Sequence, residues 1–331
     1  MKICIWITKI FDLGGTKRVV SLLANELVKE HEVTIMTYED RFREDRTMYH
    51  LSEDINVDFI DNSQFVNKHH TPAFCARYLV KKLNDRSGMF NKKSLNPILA
   101  EAIFPQKTRE KWVEYFNSQD YDVILTTASL SLRLAMIAPR LKAATIGWQH
   151  NCYDGYLHVK PVVFWQQENL LQQYLPNLDR YIVLSDYDKR DYMEKLGIDC
   201  EVKINPRSFV SEKKCDVKSK RFLMATRFVY AKGLDLMMES FEEFCKEDSE
   251  WELDIIGDGD LFDQIRADAK KRHLEKRVHF VGYTNEPEKY YLNSSVFLLP
   301  SRWEGWPMVI MEAFEFGLPV IAYHMGAMDL I

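Results

Sequence analysis

No apolar run in the 331 residues approaches the roughly 18 that a membrane-spanning helix needs. Cysteine is sparse and shows no pairing pattern: Cys4, Cys75, Cys152, Cys200, Cys215 and Cys245 are scattered, with no C-x-x-C. That spacing speaks against a zinc site or a disulfide framework, and for a reducing compartment. An excess of one charge is also missing. Lysine and arginine number 44 against 49 aspartates and glutamates, a formal net charge of −5, so nucleic acid is not an expected partner. The opening residues, Met1-Lys2-Ile3-Cys4-Ile5-Trp6-Ile7, are too short for a secretory leader and read as a buried strand. A cytoplasmic location is expected. Gly14-Gly15, which follows, lacks the third glycine of G-x-G-x-x-G, which disfavours a dinucleotide-dependent dehydrogenase.

What is present is an ordinary globular composition, 46% hydrophobic, at a length that suggests about two domains, each with its own core. Strands are predicted at residues 2–7, 32–38, 56–60, 122–127, 144–148 and 180–184, then at 221–225, 252–256, 278–281, 296–299 and 320–323. Helical patterns lie between them, at 17–28, 234–246, 261–271, 286–292 and 307–316. Continuous apolar strands alternating with helices predict an α/β fold with parallel sheets covered on both faces. Two such blocks predict two doubly wound, Rossmann-like domains, 1–204 and 205–331, with a hinge in the polar stretch 202–220. Ligands of such sheets bind beyond the carboxyl ends of the strands, so a cleft between two facing domains is the expected site.

The richest motif is Glu304-Gly305-Trp306-Pro307-Met308-Val309-Ile310-Met311-Glu312-Ala313. Pro307 reads as the first helical position, where a missing N–H costs nothing, and Gly317 and Pro319 close the helix. Glu304 is then in the loop ahead of the helix and Glu312 more than a turn inside it. None of the three residues before Pro307 is a good cap, which leaves the first amides and the positive dipole end for an anion. A carboxylate on the helix is then suited to a ribose diol.

Other residues fit the same chemistry. Arg227 ends a strand and Lys232-Gly233 opens the next helix, so a fork of donors and a point charge are placed to neutralise a diphosphate. The alternative is two solvated basic residues. Gly14 and Gly15 let a sugar or phosphate approach a helix start. His150 follows the strand at 144–148 and is placed to donate into a cleft, although an isolated histidine is more often structural. Asp258-Gly259-Asp260 resembles a metal pair but reads better as a turn and helix cap.

Residues 68–111 break the rhythm. Ten basic residues (Lys68, Arg77, Lys81, Lys82, Arg86, Lys92, Lys93, Lys107, Arg109 and Lys111) stand against Asp85, Glu101 and Glu110, with Phe74, Tyr78, Met89, Phe90 and Phe104 interleaved. Such a segment suits peripheral contact with an anionic membrane or a lipid-phosphate acceptor. The plainer reading is a solvated helical insertion whose aromatics are core.

Taken in order, Gly14-Gly15, His150, Val183-Leu184-Ser185, Arg227 with Lys232-Gly233, Gly257-Asp258-Gly259, the strand at 278–282, and Glu304 and Glu312 followed by Gly317-Leu318-Pro319-Val320-Ile321 resemble the retaining glycosyltransferase family 4, which has the GT-B fold. The resemblance spans most of the chain and implies a donor site for a nucleotide sugar. Arg227 and Lys232 would hold the diphosphate, and Glu312 the ribose hydroxyls. Glu304, with Gly305, Trp306, Pro307 and Met308, would hold the donor sugar and phosphate. Val281 and Tyr283 would lie beside the base, Gly14 and Gly15 would line the sugar–phosphate path, and His150 would touch the donor sugar. No cofactor and no metal is expected. The chain departs from the family at Thr226, where glycine is usual, and at Asp329, where glutamate is usual. Family members also continue beyond this point with a further strand and helices, so the second domain is expected to be incomplete.

The resulting expectation is a glycosyltransferase that moves sugar from an NDP-sugar, UDP-linked, to a glycan or lipid-linked glycan acceptor with retention, in surface polysaccharide synthesis. A UDP-sugar 2-epimerase of the same fold, or a truncated nucleotide-binding module without activity, are the alternatives. A glycoside hydrolase is disfavoured, because Arg227 and Lys232 would have no diphosphate to meet.

Overall fold

Each apolar run becomes a strand of one of two wholly parallel sheets. The computed structural model describes the chain except for Leu13, Asp40, 66–70, 160–162, Phe209, Ser249 and 326–331. It divides into two units, Met1–Pro206 and Arg207–Ile331. In the first, β1 (Lys2–Trp6), β2 (Glu32–Thr37), β3 (Asn56–Phe59), β4 (Val123–Thr127), β5 (Ala144–Trp148), β6 (Arg180–Val183) and β7 (Glu201–Val202) pair in the order β3-β2-β1-β4-β5-β6-β7. In the second, β8 (Arg221–Ala225), β9 (Glu252–Ile256), β10 (Val278–Gly282), β11 (Val296–Leu299) and β12 (Val320–Ala322) pair as β10-β9-β8-β11-β12. Both orders run outward from a central strand and then reverse, the doubly wound pattern of the α/β class. β7 was not predicted. It is two residues long and carries no apolar run to read.

Alternation along β8 explains why that sheet is covered on both faces. Phe222 and Met224 enter one core with Phe228, Met238, Phe241, Leu253 and Ile255. Leu223, between them, enters the opposite core with Tyr291, Phe297, Leu299, Ile310 and Phe316. In the first unit a stack of rings ties helix Gln106–Ser118 to β1: Phe65 lies 3.8 Å from Trp112, and Trp112 lies 4.6 Å from Trp6.

Helices Pro72–Ser87, Asn96–Ile103 and Gln106–Ser118 fill the connection from β3 to β4. Residues 68–111 are divided between core and surface. Phe104 is buried and Phe90 packs against the core. Arg77 and Arg109 approach Glu101, at 3.9 and 3.6 Å. Tyr78, Leu79 and Met89 are exposed beside exposed Lys81, Lys82, Arg86, Lys92 and Lys93. Lys68 is outside the described residues.

The helix after β11 runs Met308–Glu315, with Pro307 as its extended cap residue (ψ 97°) rather than its first turn. The amide of Ile310 closes onto Pro307 O at 3.0 Å. At the other end Leu318 N donates to Ala313 O (2.9 Å) and Gly317 N to Phe314 O (3.0 Å), a paired closure where Gly317 and Pro319 are expected to end the helix. The expected cap at Asp258 is also corrected. Asp258 Oδ1 accepts from Gly259 N within its own turn, at 2.7 Å, while Leu261 caps helix Phe262–Lys271 without a side-chain bond.

Two glycines are required by close approach. A Cβ on Gly233 (φ +63°) would meet Pro300 O at 2.0 Å, and one on Gly257 (φ +125°) would meet Thr226 O at 1.8 Å. Both sit where loops leave adjacent strands. Gly257→Ala is therefore expected to lower unfolding free energy by about 3 kcal/mol or more. Gly15, the first residue of helix Gly15–Leu27, has open space around it. Gly15→Ala should be neutral or stabilising, by up to about 1 kcal/mol. Urea midpoints of the two variants give the comparison.

Candidate functional site

In the second unit β8 pairs with both β9 and β11, and the order of strands reverses there. Loops leaving the carboxyl ends of β8 and β11 therefore part at this point, which is where open α/β sheets bind ligands. Arg227 and Lys232 follow β8; Ser301 and Glu304 follow β11. Lys232 Nζ reaches Glu304 Oε1 at 2.5 Å, and Ser301 Oγ donates to the same oxygen at 2.7 Å. The two charged side chains keep 20% and 11% of their surface, so the pair is shielded without being closed off. Arg227 is exposed, a cation at the rim of the same strand end.

Arg302 fixes these loops to each other. Its guanidinium bonds both oxygens of Asp235 (2.8 and 2.7 Å), donates to Tyr230 O (2.9 Å) and lies 4.0 Å over the Tyr230 ring. Its own amide donates to Ala231 O at 2.7 Å. The planar fork of arginine makes such a bidentate, stacked arrangement possible where lysine does not. Neither Arg302 nor Ser301 was singled out from sequence.

Glu312 is not in this cluster. It is 4% exposed, and its carboxylate accepts from Tyr291 OH (2.8 Å) and from Ser208 Oγ (3.0 Å). Gly305, Trp306, Pro307 and Met308 are all buried, and the helix start there has no side-chain cap, which leaves its first backbone amides as the groups suited to an anion. Val281 and Tyr283 are at the carboxyl end of β10, Tyr283 exposed and Val281 half-buried. Among the described residues there is no cluster of three or more His, Cys, Asp or Glu that could hold a metal ion.

In the first unit the Gly14-Gly15 turn follows β1, beside the reversal between β1 and β4. Two residues unforeseen from sequence hold the loop. Glu39, itself buried, accepts from the amides of Ile10 (2.6 Å) and Phe11 (2.9 Å). Tyr49 OH accepts from Gly14 N at 2.8 Å. Gly14 precedes helix Gly15–Leu27, again with no side-chain cap.

His150 follows β5. Its two ring nitrogens are buried without a hydrogen-bond partner among the described residues, and its ring lies 4.4 Å from that of Trp148. Burial lowers its pKa to about 3, so the ring is neutral at pH 7, with one donor and one acceptor on offer. The unfolded chain binds a proton near pH 6.5 that the folded chain refuses until near 3. The stabilisation from keeping His150 neutral is therefore present above pH 6.5 and lost as pH falls toward 3. Asp188 acts in the opposite sense, raised to about 6 chiefly by burial, so its folded form gains protons first as pH drops. Comparison of variants separates the two. Between pH 7 and pH 5 the wild-type chain should lose about 2 kcal/mol more stability than His150→Phe, read from urea midpoints at each pH.

Residues 13–208 match the Glycosyltransferase Family 4 profile, and residues 208–330 match the profile for Glycosyl transferases group 1. An uncharacterised glycosyltransferase of Haemophilus influenzae is 27% identical over 208 residues, covering 61% of this chain and 56% of that protein. The chain thus spans about half the length of that curated relative. Among solved structures, the apo lipopolysaccharide outer core galactosyltransferase WaaB aligns over 100% of this chain and 83% of its own, with a TM-score of 0.66 and 21% identity. HepE of Anabaena in complex with UDP and glucose aligns over 100% and 83%, at 0.65 and 14%. These likenesses show the GT-B fold. With more than half its residues matched by one family profile, this chain belongs to Glycosyltransferase Family 4.

Proposed function

We propose that the chain transfers a sugar from a nucleoside diphosphate sugar, with uridine diphosphate as the carrier, to a glycan or lipid-linked glycan acceptor, retaining configuration, in the synthesis of surface polysaccharide. The observation that carries this reading is the Lys232–Glu304 pair with Ser301 at the reversal of the second sheet. Names of similar proteins support it: one is a lipopolysaccharide galactosyltransferase and another binds UDP and glucose. Arg227 and Lys232 meet the diphosphate and stabilise the charge that grows on it as the glycosidic bond breaks. These cations supply the neutralisation that a metal provides elsewhere. Glu304 and the amides after Pro307 hold the sugar and phosphate, and Glu312 holds the ribose. Val281 and Tyr283 flank the base. Gly14, Gly15 and His150 belong to the sugar side.

A thermal-shift panel of UDP-, GDP-, ADP- and CDP-sugars tests the class and identifies the carrier together. The UDP-sugars should raise the melting temperature most. Glu312→Ala should weaken UDP binding about tenfold or more by calorimetry, the loss expected for a charged hydrogen-bond acceptor. Arg227→Ala should weaken binding and lower turnover as well. Unchanged UDP affinity in Glu312→Ala would remove the ribose assignment. Conversion of the UDP-sugar with no acceptor present would indicate an epimerase instead.

The acceptor reading extends to the membrane. Among the described residues no helix is long and apolar enough to cross one. Exposed Lys81, Lys82, Arg86, Lys92 and Lys93, beside exposed Tyr78, Leu79 and Met89, suit peripheral contact with anionic lipid. Co-sedimentation with phosphatidylglycerol vesicles at low salt should occur and fall as salt rises. Absence of binding at low salt would end this part of the proposal.

A further inference from the structure

The carboxylate assigned to the ribose already has occupants. Tyr291 OH donates to Glu312 Oε2 at 2.8 Å, and Ser208 Oγ donates to Oε1 at 3.0 Å. The two donors differ in depth. Tyr291 is fully buried, its ring stacked with Phe297 and Phe316. Ser208 keeps part of its surface. Tyr291 is the inner partner and Ser208 the outer one. A ligand arriving from solvent at this 4%-exposed glutamate meets Ser208 first.

Ser208 also belongs to a run of chain laid along the end of helix Met308–Glu315. Ser211 N donates to Glu315 Oε1 at 2.8 Å, and Arg207 lies 3.7 Å from the same carboxylate. Further on, Cys215 N donates to Phe316 O at 2.8 Å and Asp216 N to Leu292 O at 3.1 Å. These contacts attach the run independently of Glu312. The bond from Ser208 can therefore break without undoing the rest.

We propose that the Ser208 hydroxyl holds the place of a ribose hydroxyl on Glu312, so that Ser208 and the diol of a bound nucleotide exclude each other at Oε1. This rests on the ribose reading of Glu312. An unmet acceptor on a buried carboxylate is costly, and Ser208 supplies a donor at Oε1 beside the one Tyr291 supplies at Oε2. Serine and ribose hydroxyls offer the same donor chemistry, but the ribose is also held through its base and phosphates, so it prevails once nucleotide is present. Tyr291 stays in place throughout. It is a positioning residue, fixing the carboxylate through Oε2. Nucleotide binding thereby detaches residue 208 near the start of the second unit, while Ser211 and Cys215 keep their bonds.

Calorimetry with UDP, GDP and ADP, and with the 2′,3′-dideoxy form of each, tests this on the full chain. Ser208→Ala should bind the ribonucleotide roughly three- to tenfold more tightly, the worth of one neutral hydrogen bond that no longer has to be displaced. It should bind the dideoxynucleotide no better than wild type does. Tyr291→Phe should bind the ribonucleotide roughly three- to tenfold more weakly, again with no change for the dideoxy form. Equal or weaker ribonucleotide binding by Ser208→Ala, or an equal gain with the dideoxy form, overturns the exclusion. If Glu312→Ala loses affinity while Ser208→Ala gains none, the ribose reading stands and this inference alone falls. If Glu312→Ala binds as wild type, or if none of the three nucleotides binds, both fall.

Discussion

In a doubly wound parallel sheet, adjacent strands at the reversal send their connections to opposite faces, so the loops above them start side by side before they diverge. Everything at the candidate site follows from that constraint acting between β8 and β11. It places the loop carrying Arg227 and Lys232 next to the loop carrying Ser301 and Glu304, although the two are about seventy residues apart in sequence. Backbone proximity there is so close that Gly233 has no room for a side chain against Pro300, and Gly257, at the end of β9, has none against Thr226.

Around that gap the chain supplies two kinds of residue. One kind faces outward: exposed Arg227 and the partly exposed pair of Lys232 and Glu304. The other kind holds the first in place. Arg302 ties Asp235 and the carbonyl of Tyr230 to its own loop, and Tyr291 orients Glu312. Pre-orientation of this sort is what electrostatic stabilisation needs, because groups already aimed do not have to reorganise as charge develops.

How far the sequence could be read follows the same division. Strands such as β5, β8, β9 and β11 were legible to the residue because each is a short apolar run between polar turns. β7 was not, since Glu201-Val202 has only one apolar residue and owes its pairing to β6 beside it. Pro307 misled by one position: proline tolerates the first helical turn, yet here it stays extended and lets Ile310 close the turn. The outward-facing residues could be picked out because charge and glycine beside a strand end are local patterns. Glu39, Tyr49, Ser208, Tyr291 and Arg302 could not, because each acts on a group 21 to 104 residues away or on a loop whose path the sequence does not disclose.

Arg302 is the cation nearest Glu304 in sequence, and its charge is already matched by Asp235. The Lys232 charge is matched by Glu304 itself. Among the described residues that follow β8 and β11, a dianionic phosphate entering this end of the sheet therefore finds Arg227 outside any ion pair, and reaches Lys232 by drawing it off its carboxylate. The same exchange would leave Glu304 an unmatched anion. Ser301 remains beside it as a donor, so the carboxylate would keep its orientation as it lost its counter-ion.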